Sequence, residues 1–304
     1  MPEPMPEPTP DAVPGPGRLP GPVVAGVDGS RAGGAAAEWA AHEASARRLP
    51  LLLLHAWSWE PVDMPVTQDE ETHRRLAEDM LRSTERGLRE RHPGLEITAE
   101  RVPQPAVDSL VEGAEGAEML VLGSRRYGPV LGFLLGSVGL RVLGRAGCPV
   151  VMVRGDESPR PERDEVVAGL RGTSAQSGPV LAFAFAAAAA HGLRVRAVRA
   201  WSPPTVFSYS PSAMRLADEH GGIEAHEEKL LEDALAPWRE RFPQVPVTTR
   251  VEIGSGTEVL LTSSARARLL VIGRRAASGG RHLGPAAHAT LHHADCPVAV
   301  VAHP

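Results

Sequence analysis

Two kinds of stretch alternate along this chain. Short, continuous apolar runs such as "LPLLLLHAW" (49–57), "EMLVLGS" (118–124) and "CPVVMVR" (148–154) are what strands buried on both faces require. Between them lie longer segments of helical character. "AGGAAAEWAAHEASARR" (32–48) is alanine-rich, and "DEETHRRLAEDMLRSTERGLRERHPG" (69–94) carries acids early and arginines late, as the helix macrodipole favours. "GPVVAGVD" (21–28) and "EITAERVP" (96–103) add two strands; "AVDSLVEGAEGA" (106–117) and "SVGLRVLGRAG" (137–147) add two helices. Strands separated by helices predict an α/β fold with a parallel, doubly wound, Rossmann-like sheet. In such a sheet ligands bind outside the carboxyl ends of the strands, where the winding reverses.

The same pattern then occurs again. "VVAGVDGS" (23–30) returns as "VVAGLRGT" (166–173), "LLHAWS" (53–58) as "AVRAWS" (197–202), and "LRERHPG" (88–94) as "WRERFPQ" (238–244). "CPVVMV" (148–153) returns as "CPVAVV" (296–301), so the offsets all fall between 143 and 150 residues. A spacing close to one domain length means tandem duplication rather than a solenoid of short repeats. The expected organisation is a disordered, proline-rich tail over 1–20, one domain over 21–154, a charged linker over 155–163 and a second domain over 164–304.

Composition narrows the chemistry. The chain has 304 residues, 42% of them hydrophobic, which is material for two packed cores. A net charge of -5 gives no basic footprint for nucleic acid. The opening segment lacks the cationic start and apolar core of a signal peptide, and no apolar run reaches the roughly 20 residues that span a bilayer. A soluble, cytoplasmic protein without membrane contact is expected. The two cysteines, Cys148 and Cys296, open equivalent strands and read as reduced core residues. Lys229 is the only lysine, so neither glycine-rich loop holds the lysine of a Walker-type phosphate loop, and that class is excluded.

The most informative stretch is "LVLGSRRYGPVLGFLLGSVGLRVL" (120–143). A strand delivers Gly123, a loop follows, and Gly136-Ser137 opens a helix. Glycines let backbone approach a polyphosphate, and the Ser137 hydroxyl and helix N-terminal amides donate to it. Arg125 and Arg126 add positive charge. Asp28, at the end of the first strand, can accept ribose or base hydrogen bonds, or it can simply support the cap of the helix beginning near Ser30.

This loop, together with "VDGS" and "LHAW" at the first two strand ends, resembles the universal stress protein family. Its ATP-binding members carry Gly-x2-Gly-x9-Gly-Ser/Thr after the fourth strand; Gly123 and Gly136-Ser137 match, and Arg126 stands at the second glycine. The resemblance covers 21–154 and 164–303 and implies two five-stranded domains joined as an intrachain pseudo-dimer through their last strands. A further homodimer and an unidentified protein partner are left open. By the same resemblance Asp28 meets the nucleoside and the Ala56 backbone recognises adenine. Gly123, Arg125, Arg126, Gly136, Ser137 and Val138 surround ribose and phosphates, with Val27 and Leu122 at the flanking strand ends. The implied ligand is ATP, with Mg as a companion ion.

The second half departs at each of these points. Gly273 and Gly284 are 11 residues apart instead of 13, Ala276 replaces the second glycine, and Pro285 removes both hydroxyl and amide donor. Arg171 stands at the place of Asp28 and Arg199 at that of His55. The expected outcome is a degenerate second site; the alternative keeps Arg171 as a ligand for a smaller anion. His288, His292 and His293 have helical spacing but no accompanying Glu of an HExxH arrangement, so no metal site is expected. The five tryptophans read as packing residues.

The leading function is a nucleotide-binding regulatory module of the stress response. No general base is placed beside the phosphates, so any hydrolysis should be slow and no catalytic residue is assigned. Two alternatives stay open: a ligand-free interaction scaffold, and an adenine-nucleotide α/β enzyme.

Overall fold

The computed structural model describes residues 21–57, 70–126, 133–134, 136–155, 163–172, 174–201, 222–276 and 283–303. The proline-rich segment and most of the linker therefore lie outside the described residues. The first half runs β1 (Val23–Gly26), α1 (Arg31–Arg47), β2 (Leu51–Ala56), α2 (Glu70–Arg91), β3 (Ile97–Val102), α3 (Ala106–Gly113), β4 (Met119–Arg126), β5 (Phe133–Leu134), α4 (Ser137–Arg145) and β6 (Val150–Arg154). The second half follows with β7 (Glu165–Leu170), α5 (Ser174–His191), β8 (Arg194–Trp201), α6 (Gly222–Arg241), β9 (Val247–Ile253), α7 (Gly256–Ser264), β10 (Ala267–Arg275), α8 (Pro285–His293) and β11 (Val298–His303).

Each half is a parallel, doubly wound sheet, ordered β3-β2-β1-β4-β6 and β9-β8-β7-β10-β11. The last strands, β6 and β11, pair antiparallel, with Val298 opposite Met152 and Val300 opposite Val150. One sheet thus runs through the whole molecule. Were they left open, two largely apolar and largely buried strands would be edges prone to pairing with any other chain. No described helix is long and apolar enough to cross a membrane.

The period of two along each strand divides the core into two layers. In β1 the side chains of Val23 and Ala25 meet the alanines of α1, while that of Val24 points to the face covered by α3 and α4. Ala36, Ala37, Ala40, Ala41 and Ala44 are all buried, and their small side chains let α1 lie close on the sheet. Ser30 caps this helix, its hydroxyl accepting from the Gly33 amide at 3.1 Å. Cys148 and Cys296 are buried and not joined in a disulfide, and burial pushes Cys148 up to about 11, so Cys148 is packing material rather than a nucleophile.

A buried polar group joins the halves. Glu43 on α1, 3% exposed, accepts from Arg47 at 2.5 Å and contacts His191 of α5 at 2.7 Å. Arg47 also reaches Glu118 at 3.1 Å and lies over the Phe183 ring. Burial alone raises the Glu43 pKa, but the His191 hydrogen bond and the Arg47 charge outweigh it and hold the carboxyl below its ordinary 4.5. A depressed carboxyl contributes stability above its unfolded pKa, and that contribution is lost as pH falls through the folded value. Glu43→Gln should therefore cost up to about 3 kcal/mol at pH 7. In urea unfolding the gap to wild type should shrink at pH 3.5; an equal gap at both pH values would contradict this role.

Candidate functional site

The winding reverses between β1 and β4, whose parallel register sets Val23 opposite Met119 and Ala25 opposite Val121. From β1 the chain moves outward to β2 and β3, and from β4 it moves the other way to β6. The crevice at the carboxyl ends of these strands is where the sequence placed most of its candidates.

Val27 is buried, and its backbone is already engaged. Its amide donates to the Leu54 carbonyl at 3.0 Å, and its carbonyl lies 2.7 Å from Nδ1 of His55. These bonds hold the ends of β1 and β2 side by side and bring Ala56 next to Asp28. Asp28 is exposed, and its Oδ1 accepts from the Ser30 amide at 3.0 Å and the Ser30 hydroxyl at 2.5 Å. Ser30 is the helix cap and Asp28 its buttress, so the capping geometry weighed for this position is present. Beyond Ala56, Trp57 packs beneath the Arg101 guanidinium at 5.1 Å.

Gly123 is needed for a close approach within the chain itself. A Cβ there would lie 2.3 Å from the carbonyl carbon and oxygen of Ala32 and 2.8 Å from the Gly33 amide. A Cβ on Gly33 would lie 2.5 Å from Asp28 Oδ1. Asp28, the first turn of α1 and the end of β4 thus form one continuous floor of backbone. Leu122 points into the core layer under α3 and α4, and only its backbone faces this floor. Gly155, directly after β6, also abuts Ala32. The sequence reading did not single out Gly33 or Gly155. The signal was there, because the repeat offsets place Gln176 and His303 at the equivalent positions of the second half.

The loop after Gly123 differs from expectation. β4 continues through Arg126, and Arg125 and Arg126 pair antiparallel with Leu134 and Phe133 of β5. Where the family pattern has a flexible glycine, Arg126 takes extended backbone in a ladder, which a non-glycine residue does readily. Residues 127–132 and 135 lie outside the described residues. α4 then opens at Gly136, which has no side-chain cap, and Gly136, Ser137 and Val138 are all exposed. Among the described residues no atom lies within 4 Å of a Cβ built on Gly136. Nor does a side chain of the described residues cap α4, and such a helix terminus is of the kind that takes an anion.

In the second half the equivalent crevice is filled by the chain's own side chains. The tight turn after the first strand survives, with φ of 74° at Gly29 and 79° at Gly172. Around it, Arg199 donates to the Gly172 carbonyl at 3.0 Å and forms an ion pair with Glu227 of α6. Gln176 lies over Gly172, and the His303 ring lies over Gly273, 2.7 Å from where its Cβ would be. β10 stays in the main sheet up to Arg275, opposite His303, and the Ala276 amide donates to the His303 carbonyl at 2.7 Å. Arg171 is exposed.

The comparisons with known proteins agree with this architecture. The sequence profile of the universal stress protein family matches residues 21–154 and 164–302. Universal stress protein Rv2005c of Mycobacterium tuberculosis is 35% identical over 291 residues, covering 91% of this chain and 96% of its own length. Universal stress protein Rv2623 of the same organism is 33% identical over 271 residues, covering 84% and 87%. Among solved structures, a universal stress protein from Archaeoglobus fulgidus superposes with a TM-score of 0.70 at 15% identity, covering 91% of this chain and 97% of that one, which supports the fold. Two doubly wound sheets joined through their last strands, matched twice by one profile and by relatives 33–35% identical over 84–91% of the chain, leave one conclusion: this chain belongs to the universal stress protein family.

Proposed function

We propose that the first half, residues 21–154, binds ATP at the β1/β4 crevice and that the chain acts as a nucleotide-dependent regulatory module. The contrast between the two crevices carries this reading. In the first, glycines and an exposed carboxylate border the crevice, and among the described residues no side chain caps the nearby α4; in the second, Arg199, Glu227, Gln176 and His303 stand on the equivalent ground. The residues of the first half fit the group. Asp28 would accept from the nucleoside, the Ala56 backbone would read the adenine edge, and Gly136, Ser137 and Val138 would present amides and a hydroxyl to the phosphates. Arg125 and Arg126 would balance phosphate charge, and Mg would accompany the phosphates.

The antiparallel β6–β11 pairing supports reading the two domains as an intrachain pseudo-dimer, in which a silent half would support a binding half. The output would be a change of conformation or of protein partner in the cytoplasm, because the sequence offers no general base for the proposed phosphate site. The test is to denature the purified protein and analyse the released small molecules by chromatography and mass spectrometry. Adenine nucleotide approaching one per chain supports the proposal. If none is released and added ATP does not bind, the scaffold alternative replaces it, and multiple rapid turnovers would favour the enzyme.

A further inference from the structure

Away from the crevice, two imidazoles and a carboxylate converge on the outer side of α1. Glu38 and His42 lie one helical turn apart on the same face, and His92 follows directly after the last residue of α2. Nε2 of His92 is 3.0 Å from Glu38 Oε1, and Nε2 of His42 is 3.8 Å from the same oxygen. One ligand atom from each of the three residues lies within 4.8 Å of the others. Zinc bonds of ~2.0–2.2 Å in a tetrahedron separate ligand atoms by about 3.3 Å, which falls between the two measured distances. Small side-chain rotations therefore suffice to close the set on an ion.

The surroundings already have the form of a metal site. The other oxygen of Glu38 accepts from Arg91 at 2.7 Å, so the carboxylate is held with Oε1 turned to both histidines, as an outer partner orients a ligating carboxylate. The His92 side chain is only 9% exposed, and the two rings meet edge to face at 4.7 Å. His42 is 59% exposed, which gives an ion a path in and leaves a fourth position for water.

We propose that Glu38, His42 and His92 bind one divalent transition-metal ion of the zinc class, pinning the end of α2 to α1. Two imidazoles with one carboxylate make a borderline donor set that suits zinc and not the all-oxygen preference of calcium or magnesium. Glu38 and His42 straddle the middle of α1, two turns or more from its Ser30 end at the nucleotide crevice, so the site does not depend on the proposed function.

The experiment is calorimetric titration of chelator-treated full chain with Zn2+ alone, paired with thermal melts with and without the ion. One Zn2+ per chain and a raised Tm are expected for wild type. His42→Gln, at an exposed position, and Glu38→Gln should each weaken binding by about tenfold or more. His288→Gln, on the histidine-rich helix α8, should leave it unchanged. Circular dichroism checks that each variant is folded. No binding to wild type, unchanged binding in both His42→Gln and Glu38→Gln, or a loss confined to His288→Gln would overturn the proposal.

Discussion

Titration of the full chain with Mg-ATP should show one site per chain, and Asp28→Ala should weaken it about ten- to over a hundredfold. That range follows from losing a hydrogen bond with a charged partner, worth ~1.5–3 kcal/mol. Because Asp28 Oδ1 also supports Ser30 at the start of α1, Asp28→Asn is the necessary companion. It keeps an acceptor for Ser30 and removes only the charge. Gly136→Val is the cleaner probe of the phosphate side. Its Cβ meets no atom of the described residues within 4 Å, and its φ of -58° suits any residue, so lost binding in a variant that circular dichroism shows to be folded would report on the ligand. Gly123 cannot serve, since any side chain there collides with Ala32 backbone. Arg171→Ala should leave affinity unchanged, because in its half Arg199 bonds Gly172 and Glu227 and the His303 ring covers Gly273, which disfavours the proposed binding there. Two sites in wild type, or a loss confined to Arg171→Ala, would refute the asymmetry.

Phe185→Ala should produce the largest loss of stability, about 3–5 kcal/mol. Phe185 is completely buried in α5, with the Trp238 ring 6.0 Å away and the Phe242 ring 5.6 Å away. Trp238, in the last turn of α6, and Phe242, directly after its end, stack on each other, so truncation leaves a cavity walled by two rigid rings that cannot collapse into it. Unfolding should shift down on the order of 10 °C. Mg-ATP affinity, measured well below the new midpoint, should stay as in wild type. A loss under about 1 kcal/mol would mean that the aromatic cluster repacks and that this layer is less rigid than its geometry indicates.

The candidate site was legible to different depths. Asp28, Ala56 and Gly123 stand out because they terminate apolar runs, and strand ends in a doubly wound sheet share one edge. The losses at Arg171, Ala276 and Pro285 stand out because an internal duplicate provides its own reference. Gly33 and Gly155 carry a signal only through the offsets to Gln176 and His303; taken alone they were silent, since their importance lies in what approaches them from Ala32, Asp28 and Gly123. The pairing of Arg126 with Phe133 was equally silent, because a two-residue ladder has no periodicity to detect.

The sequence by itself determined the alternation of strand and helix, the duplication and the exclusion of a lysine-based phosphate loop. These are properties of residue type and short-range spacing, written locally in the chain. Only the tertiary structure decided that Arg199 bonds Glu227 across the second crevice and that the His303 ring covers Gly273. The same holds for His191 meeting Glu43 and for His92 meeting Glu38, 148 and 54 residues apart. Such meetings follow from strand order and from the register of helices against the sheet, which the packing of both core layers sets together. No window of neighbouring residues contains that information.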